Sequence, residues 1–181
     1  MERNGVWARG ETRTGFKAGW GGGVCPCPCP CPCLCIWGHS GVREAYAGDL
    51  SVRESWELLA RDKNAVLVDC RSDAEWAFVG APDLSSLDAK PVFVSWQTFP
   101  GMRPNPFFAD QVKAAGIGPE RSVLFLCRSG VRSKAAAIAV TASGYERCYN
   151  VAGGFEGPHD QARHRGGVEG WKAAGLPWKQ D

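Results

Sequence analysis

Apolar residues follow two alternating patterns along the chain, and together they predict buried strands separated by amphipathic helices. Four short runs are mostly apolar, at residues 65–69, 91–96, 122–126 and 148–151. Apolar runs of this length are typical of strands in a sheet that is covered on both faces. Because helical patterns lie between the runs, we predict an α/β fold in which helices flank both faces of a central parallel sheet.

Local start and stop signals place one helix before the first predicted strand and one after each strand. Ser51 and Glu54 form a capping box, which is a usual start of a helix. Asn105 is predicted to cap a later helix, with Pro106 at its first helical position. The predicted helices span residues 52–61, 74–78, 106–115, 131–142 and 168–174. A helix between successive strands is the connection that parallel pairing requires.

Residues 1–45 show no apolar periodicity, and we predict that they form a disordered extension of a folded domain at 46–181. The extension contains GWGGG at 19–23 and alternating cysteine and proline from Cys25 to Cys35. Proline at every second position prevents helix formation and sheet pairing. Capture of a soft metal by these cysteines is an alternative, but their spacing differs from that of structural zinc sites, and no metal site is predicted.

A second interpretation of the extension is that the assigned translation start lies upstream of the real one. The only methionine after Met1 is Met102, which lies deep in the predicted domain. A shorter product would therefore need a start codon other than that of methionine, and Val42 is the candidate.

Charge and cysteine content narrow the class of protein. The net charge of +2 arises within the extension, and the predicted domain carries equal numbers of basic and acidic residues. This balance argues against a nucleic acid or a membrane surface as the main partner. The cysteines of the domain are Cys70, Cys127 and Cys148, and their odd number predicts reduced thiols in a cytoplasmic protein. No run approaches the roughly 18 apolar residues of a membrane span, and no secretion signal is evident.

The candidate site lies where the predicted strand at 122–126 ends. Cys127 opens a short loop that contains Gly130 and leads directly into a helix. Ligands of open parallel sheets bind beyond the carboxyl ends of the strands. Backbone N–H groups converge at such a junction, and the helix dipole there favours negative charge. We therefore predict that Cys127 ionises readily and acts as a nucleophile.

The segment CRSGVRS at 127–133 resembles the active-site loop of single-domain rhodaneses, a family of sulfurtransferases. The resemblance covers residues 47–178 and none of the extension. Further segments that carry it are LVDCR at 67–71 with EW at 75–76, YNVAGG at 149–154, and Trp171 with GLPW at 175–178. Many members of the family have Gly-His-Ile-Pro-Gly-Ala after the Glu-Trp pair, whereas this sequence has Gly-Ala-Pro-Asp-Leu at 80–84. Because this loop lies away from the cysteine, the difference leaves the partner or substrate open more than it does the type of reaction.

The resemblance implies a rhodanese-like domain at 46–181 that moves sulfane sulfur through a persulfide on Cys127. A small anionic donor, thiosulfate or a persulfide, would load the cysteine. A thiophilic acceptor, such as cyanide, a thiol or the cysteine of another protein, would then remove the sulfur. The intermediate is covalent, so neither a cofactor nor a metal is expected.

The loop after Cys127 is expected to stabilise first a thiolate and then a persulfide anion. Its backbone N–H groups would form an anion nest, and Gly130 permits the positive φ that such a turn needs. Arg128 and Arg132 are expected to lower the pKa of Cys127 and to attract an anionic donor, unless one of them is solvated or pairs with a carboxylate such as Glu75. The residues predicted to bind the donor or the persulfide are Arg128, Ser129, Gly130, Val131, Arg132 and Ser133.

Residues outside the loop are expected to support it, and these are Asp69, Arg71 and Glu75. Asp69 and Arg71 are interpreted as structural residues that shape the neighbouring loop by hydrogen bonds. Cys70 and Cys148 are interpreted as small buried side chains, with the role of a resolving thiol for Cys127 as the alternative for either.

Two other functions remain as alternatives. Phosphatases with a cysteine nucleophile resemble C-x₅-R, in which the arginine lies six positions after the cysteine, whereas Arg132 lies five positions after Cys127 and Ser133 occupies the sixth. The shorter cradle fits a single sulfur atom better than a phosphate or an arsenate. A non-catalytic module that carries sulfur or regulates a partner is the other alternative, and the intact cysteine weakens it without excluding a carrier role.

Overall fold

The structure is a computed structural model, and it describes residues 46–98 and 100–180. The predicted extension over 1–45, with its cysteine and proline run and the candidate start at Val42, lies outside the described residues. Within the described residues, no helix combines the length and the apolar character needed to cross a membrane.

In the described part of the chain, five parallel strands form a central sheet, and short strands form two further antiparallel pairs. In chain order the strands are β1 (Gly48–Leu50), β2 (Ala65–Asp69), β3 (Ala81–Pro82), β4 (Val92–Phe93), β5 (Gln97–Thr98), β6 (Arg103–Pro104), β7 (Ser122–Leu126), β8 (Cys148–Val151) and β9 (Trp178–Lys179). The order across the central sheet is β1-β8-β7-β2-β4, and β7 at its centre is buried at every position. The parallel sheet predicted from the apolar runs is therefore confirmed.

Helices cover both faces of this sheet, as predicted. They are α1 (Val52–Arg61), α2 (Asp73–Val79), α3 (Phe108–Ala114) and α4 (Val131–Ala142), with one turn of 3₁₀ helix at Ser85–Leu87. One face of the sheet packs against α3 and α4 through Phe108 and Val140. The other face packs against α1 through Val52 and Leu59, and against Trp171 from the C-terminal segment. Successive side chains of each strand point to opposite faces and so contribute to two separate cores.

Capping boxes start the first two helices. The Ser51 hydroxyl accepts the N–H of Glu54 at 3.2 Å, and the Glu54 carboxylate accepts the N–H of Ser51 at 2.8 Å. Ser72 and Glu75 repeat the arrangement at the start of α2. Each box satisfies N–H groups that have no partner within the helix. The prediction of α1 is confirmed, and α2 extends one residue beyond the predicted 74–78 at each end.

The helix predicted to begin at Pro106 begins instead at Phe108. Asn105 does not cap it, because the side-chain oxygen of Asn105 accepts the N–H of Phe107 at 3.0 Å and forms a turn ahead of the helix. The strand predicted over 91–96 is likewise shorter, since only the two residues of β4 pair with β2.

The helix predicted over 168–174 is wrong, and this segment forms a series of turns. Gly170 lies inside it with a positive φ of 98°, a conformation that interrupts a right-handed helix. The indole N–H of Trp171 donates to the carbonyl of Pro177 at 2.8 Å. The segment therefore returns the chain to β9, which pairs with β3.

Candidate active site

Cys127 lies at the carboxyl end of β7, where the chain turns toward α4. Only 1% of the residue is exposed. Gly130, the last residue before α4, takes a positive φ of 96°. In this left-handed conformation, which favours glycine, the N–H of Gly130 points at the sulfur and lies 3.1 Å from Sγ. The backbone therefore curls around the thiol group.

Ser133 contributes a second donor from the first turn of α4. Its hydroxyl oxygen lies 3.2 Å from Cys127 Sγ and 2.6 Å from Oδ1 of Asn150 on β8. The amide nitrogen of Asn150 donates to Asp49 at 2.8 Å, which leaves the amide oxygen facing Ser133. A hydroxyl has one proton to donate, so Ser133 serves either the sulfur or the amide, and a negatively charged sulfur is the stronger acceptor.

A second thiol lies against Cys127. Cys70 follows the last residue of β2, and the two cysteines lie in the same buried core. A hydrogen bond from the Cys70 thiol is the largest of the causes that lower the pKa of Cys127, to about 5, whereas burial opposes the change. The hydroxyl and N–H of Ser133 and the N–H of Ser129 lower the pKa further. Cys127 is therefore a thiolate at neutral pH.

The two arginines of the loop occupy different environments. Arg132 forms a two-pronged ion pair with Glu75 of α2, with N–O distances of 2.7 and 2.6 Å. Burial by itself raises the pKa of Glu75, but hydrogen bonds from Arg132 and Ser72 outweigh it and lower the pKa to about 2. Arg128 is exposed and lines the open space above Cys127. Hydrogen bonds lead the causes that lower the pKa of Cys127. The sequence-based expectation named hydrogen bonds from the loop together with the charge of the two arginines.

A cavity of about 610 Å³ opens above Cys127. This volume equals that of about twenty water molecules, so it can hold two small reactants or the end of a larger one. The wall combines polar and apolar side chains, among them Ser129, Arg132, Glu75, Val79, Met102 and Val131. Val131 at the rim is 77% exposed and Met102 is 42% exposed. The site thus has a polar floor beneath a partly apolar entrance.

The segment that follows β8 packs against the loop after Cys127 and hydrogen-bonds to its backbone. The N–H of Phe155 donates to the carbonyl of Cys127 at 2.7 Å, and the N–H of Glu156 donates to that of Arg128 at 2.9 Å. Gly154 has a positive φ of 62°, and a Cβ atom there would stand 2.5 Å from the carbonyl oxygen of Cys127. Contact of two backbones at this distance requires glycine.

Gly154→Ala is therefore expected to lower the free energy of unfolding by about 2–5 kcal/mol. The left-handed backbone accounts for about 1–2 kcal/mol of this, and forced displacement of the loop adds about 1–3 kcal/mol. Gly116→Ala is the matched control, because Gly116 also has a positive φ, of 79°, but has open space around its Cα. Urea unfolding of both variants measures the difference, and equal losses would show that the contact with Cys127 contributes nothing.

Asp69 and Arg71 form a fully buried ion pair beside the site. The Arg71 guanidinium also donates to the carbonyl of Gly80 at 2.8 Å and lies over the ring of Phe155 at 4.1 Å. The pair thereby connects the end of β2, the end of α2 and the segment behind the loop. Neither residue hydrogen-bonds to Cys127, which agrees with the structural role expected from the sequence.

The pKa of Cys127 predicts a pH profile for its alkylation. The rate with iodoacetamide should rise through a midpoint of about 5 and change little above pH 7, because only the thiolate reacts. Free cysteine, the reference, should show a midpoint of about 8.5. Because folding lowers the pKa of Cys127, ionisation of this thiol stabilises the folded state. This contribution to the free energy of unfolding is fully present above the ordinary thiol pKa and is lost as the pH falls through about 5.

Peptide mapping isolates the reaction of Cys127 from that of the other cysteines. Cys70→Ala should move the midpoint of Cys127 upward, since it removes the leading hydrogen bond. A midpoint that coincides with that of free cysteine in the unmodified protein would contradict the assignment of Cys127 as a thiolate.

The structure brings most of the predicted site residues together. Residues 128–133 surround Cys127, and Glu75 reaches the same cavity through Arg132. Sequence reasoning missed Asn150, whose amide oxygen is the alternative acceptor for the Ser133 hydroxyl, and it gave preference to an inert role for Cys70. The sequence showed that Cys70 and Cys127 each follow a predicted strand directly, but it did not show that the two strands are neighbours in the sheet.

A parallel sheet with a thiolate cradled by backbone N–H groups at the end of its central strand defines a rhodanese-like protein. The family model described as the STR4 middle domain matches residues 47–181. The chain belongs to this family, and the resemblance to rhodaneses inferred from the sequence is confirmed.

The chain is also similar to three other proteins. The crystal structure of Rv0390 from M. tuberculosis is 46% identical, with a TM-score of 0.68, and the match covers 75% of this chain and 99% of that one. An uncharacterized protein of Rickettsia conorii is 37% identical over 126 residues, which are 70% of this chain and 92% of the relative. The chloroplastic rhodanese-like domain-containing protein 4 of Arabidopsis thaliana is 27% identical over 129 residues, which are 71% of this chain and 25% of that protein.

Proposed function

We propose that the protein is a sulfurtransferase that carries sulfane sulfur as a persulfide on Cys127. The observation that supports this proposal most strongly is a buried cysteine at the floor of an open cavity, with the N–H of Gly130 and the hydroxyl of Ser133 within hydrogen-bond distance of its sulfur. The same donors can hold the anion of a persulfide, which is larger but carries the same charge. Neither a cofactor nor a metal takes part in this scheme.

The first half-reaction loads the cysteine. The Cys127 thiolate attacks the outer sulfur of thiosulfate, an S–S bond forms, and the S–S bond of the donor breaks with release of sulfite. One negative charge stays on the protein as Cys127–S–S⁻. Arg128, exposed at the entrance, provides positive charge for the approach of the anionic donor.

The second half-reaction passes the sulfur to a thiophilic acceptor. A nucleophile such as cyanide or a thiol attacks the outer sulfur, and the Cys127 thiolate leaves. Its low pKa makes it a good leaving group in thiol exchange. The volume of the cavity and the apolar side chains of Met102 and Val131 favour an acceptor larger than cyanide, either a small thiol or a cysteine of a protein.

The ion pair of Arg132 favours sulfur over phosphoryl or arsenate chemistry. Transfer of an oxyanion needs an arginine that is free to clamp several oxygens. The guanidinium of Arg132 already donates to both carboxylate oxygens of Glu75. We further propose a cytoplasmic location, because Cys127 works as a free thiolate and requires a reducing compartment.

A steady-state assay with thiosulfate and cyanide tests the proposal. We expect formation of thiocyanate and sulfite in equal amounts, with a rate that depends on both reactants. A rate no higher than that of the same mixture without protein would overturn the proposed function.

A further inference from the structure

Two thiols, rather than one, meet at the floor of the site. β2 and β7 run parallel and in register, with Val68 opposite Phe125 and Asp69 opposite Leu126. The N–H of Cys70 continues this ladder by donating to the carbonyl of Leu126 at 2.8 Å. Cys70 and Cys127 therefore occupy the next positions of two adjacent strands.

Both side chains also point to the same face of the sheet. Cys70 lies in one core with Val66 and Val68, and Cys127 lies in that same core with Phe125. Alternate residues of a strand share a face, which agrees with this set. Neighbouring strands lie about 4.8 Å apart, and a disulfide spans Cα separations of about 4.4–6.8 Å. The backbone thus places the two sulfur atoms within the reach of a disulfide.

We propose that Cys70 is a second reactive thiol of the site, which discharges the Cys127 persulfide as hydrosulfide and forms a Cys70–Cys127 disulfide. This inference rests on the proposed function, because the persulfide is its starting point. It adds a second outcome, reductive release of sulfide, to the transfer of sulfur to an acceptor.

The step balances without an external oxidant. The sulfur of Cys70 attacks Sγ of Cys127, the S–S bond of the persulfide breaks, and the outer sulfur takes the proton of Cys70 and leaves as HS⁻. The sulfane sulfur is reduced to sulfide, and the two thiols supply both electrons. A dithiol of low potential then reduces the disulfide by attack on Cys127, which faces the cavity, and Cys70 regains its proton.

Burial explains why Cys70 keeps its proton until Cys127 carries the persulfide. Burial raises the pKa of Cys70 well above the ordinary thiol value, and the neighbouring Cys127 thiolate raises it further. Cys70 therefore keeps its proton in the resting protein and serves as a donor to Cys127. Once sulfur is added, the negative charge moves to the outer sulfur, which becomes the acceptor for that proton.

Cys148 supplies a matched control within the same core. It is also a free and fully buried thiol, but it lies opposite Val123 at the other end of β7. Val123 and Cys127 are four steps apart along the strand, which is roughly 13 Å. Cys148 is therefore too far from Cys127 to form a disulfide.

The test is a single-turnover experiment on the full chain without oxygen and without added thiol. The reduced protein is mixed with thiosulfate, and sulfite, hydrosulfide and the masses of the acid-quenched peptides are followed in time. Cys70→Ser is the main variant, because serine keeps a hydrogen-bond donor beside Cys127 but cannot form a disulfide. Cys70→Ala and Cys148→Ala are run in parallel.

The expected result is one sulfite and then one hydrosulfide per chain, with a cross-linked peptide pair that contains Cys70 and Cys127. Cys70→Ser should release sulfite in the same amount, keep the added sulfur on Cys127, and release hydrosulfide at the background rate. Cys148→Ala should behave as the unmodified protein does. A dithiol added afterwards should reopen the Cys70–Cys127 disulfide and allow a second release of sulfite in the unmodified protein, whereas in Cys70→Ser it should take the sulfur from Cys127 directly.

Two contrary results are distinguishable. If sulfite is released but the persulfide has the same lifetime in the unmodified protein and in Cys70→Ser, the second thiol has no role and the proposed function stands. If no sulfite is released at all, the proposed function fails, and the discharge step fails with it.

Discussion

Cys127→Ser is expected to reduce thiocyanate formation from thiosulfate and cyanide by at least about a thousandfold, to the background rate. The Cys127 thiol has a pKa of about 5 and is ionised at neutral pH, whereas a serine hydroxyl is neutral there and cannot hold a transferable sulfur atom. The steady-state rate of thiocyanate formation measures the effect. Circular dichroism of the variant confirms that its fold is retained.

Cys148→Ala provides the comparison for this loss. Cys148 lies in the same core as Cys127 but at the opposite end of β7. Its pKa is raised to about 11 by burial, so it is protonated and unreactive at neutral pH. The variant should retain the full rate, and a comparable loss in both variants would mean that the effect arises from the core rather than from the thiolate.

Asp69→Ala is expected to lower the free energy of unfolding by about 3–5 kcal/mol, the largest effect on stability that we anticipate. Both Asp69 and Arg71 have side chains that are 0% exposed. Removal of the carboxylate leaves the guanidinium buried without a counter-charge, and one of its nitrogen atoms already lacks a hydrogen-bond partner. Urea unfolding at neutral pH measures the change.

Two controls distinguish a buried unpaired charge from a loss of packing. Glu57→Ala removes a carboxylate from the exposed face of α1 and should change stability little. Asp69→Leu combined with Arg71→Met removes both charges and should be markedly more stable than Asp69→Ala. If the double variant is as unstable as the single one, the destabilisation does not come from the unpaired guanidinium.

Signals that lie close together in the sequence predicted most of the fold. The capping box at Ser51 and Glu54 and the apolar strands β2 and β7 are specified by adjacent residues, and the structure has them where the pattern places them. The strand β1 was not predicted, because three residues are too few to show a period. The segment at 168–174 was misassigned, since its apolar spacing is helical but Gly170 interrupts the backbone.

The candidate site likewise combines features that adjacent residues specify with features that depend on distant segments. The cradle of Cys127 is encoded within seven consecutive residues, and its curvature follows from Gly130. The partners of that cradle come from distant segments: Glu75 is 57 residues from Arg132, and Asn150 is 17 residues from Ser133. Cys70 contacts Cys127 only because β2 and β7 pair in one particular register, and no local pattern specifies a register.

The intact mass of the protein after brief exposure to thiosulfate shows whether Cys127 carries sulfane sulfur. The protein is quenched in acid within the first turnover, and its mass is compared with that of Cys127→Ser treated in the same way. A persulfide predicts a gain of one sulfur atom on the peptide that contains Cys127, removal of that sulfur by cyanide, and no gain in the variant. If the chain gains no sulfur under conditions that load a known sulfurtransferase, or gains it equally after Cys127→Ser, Cys127 is not a persulfide carrier.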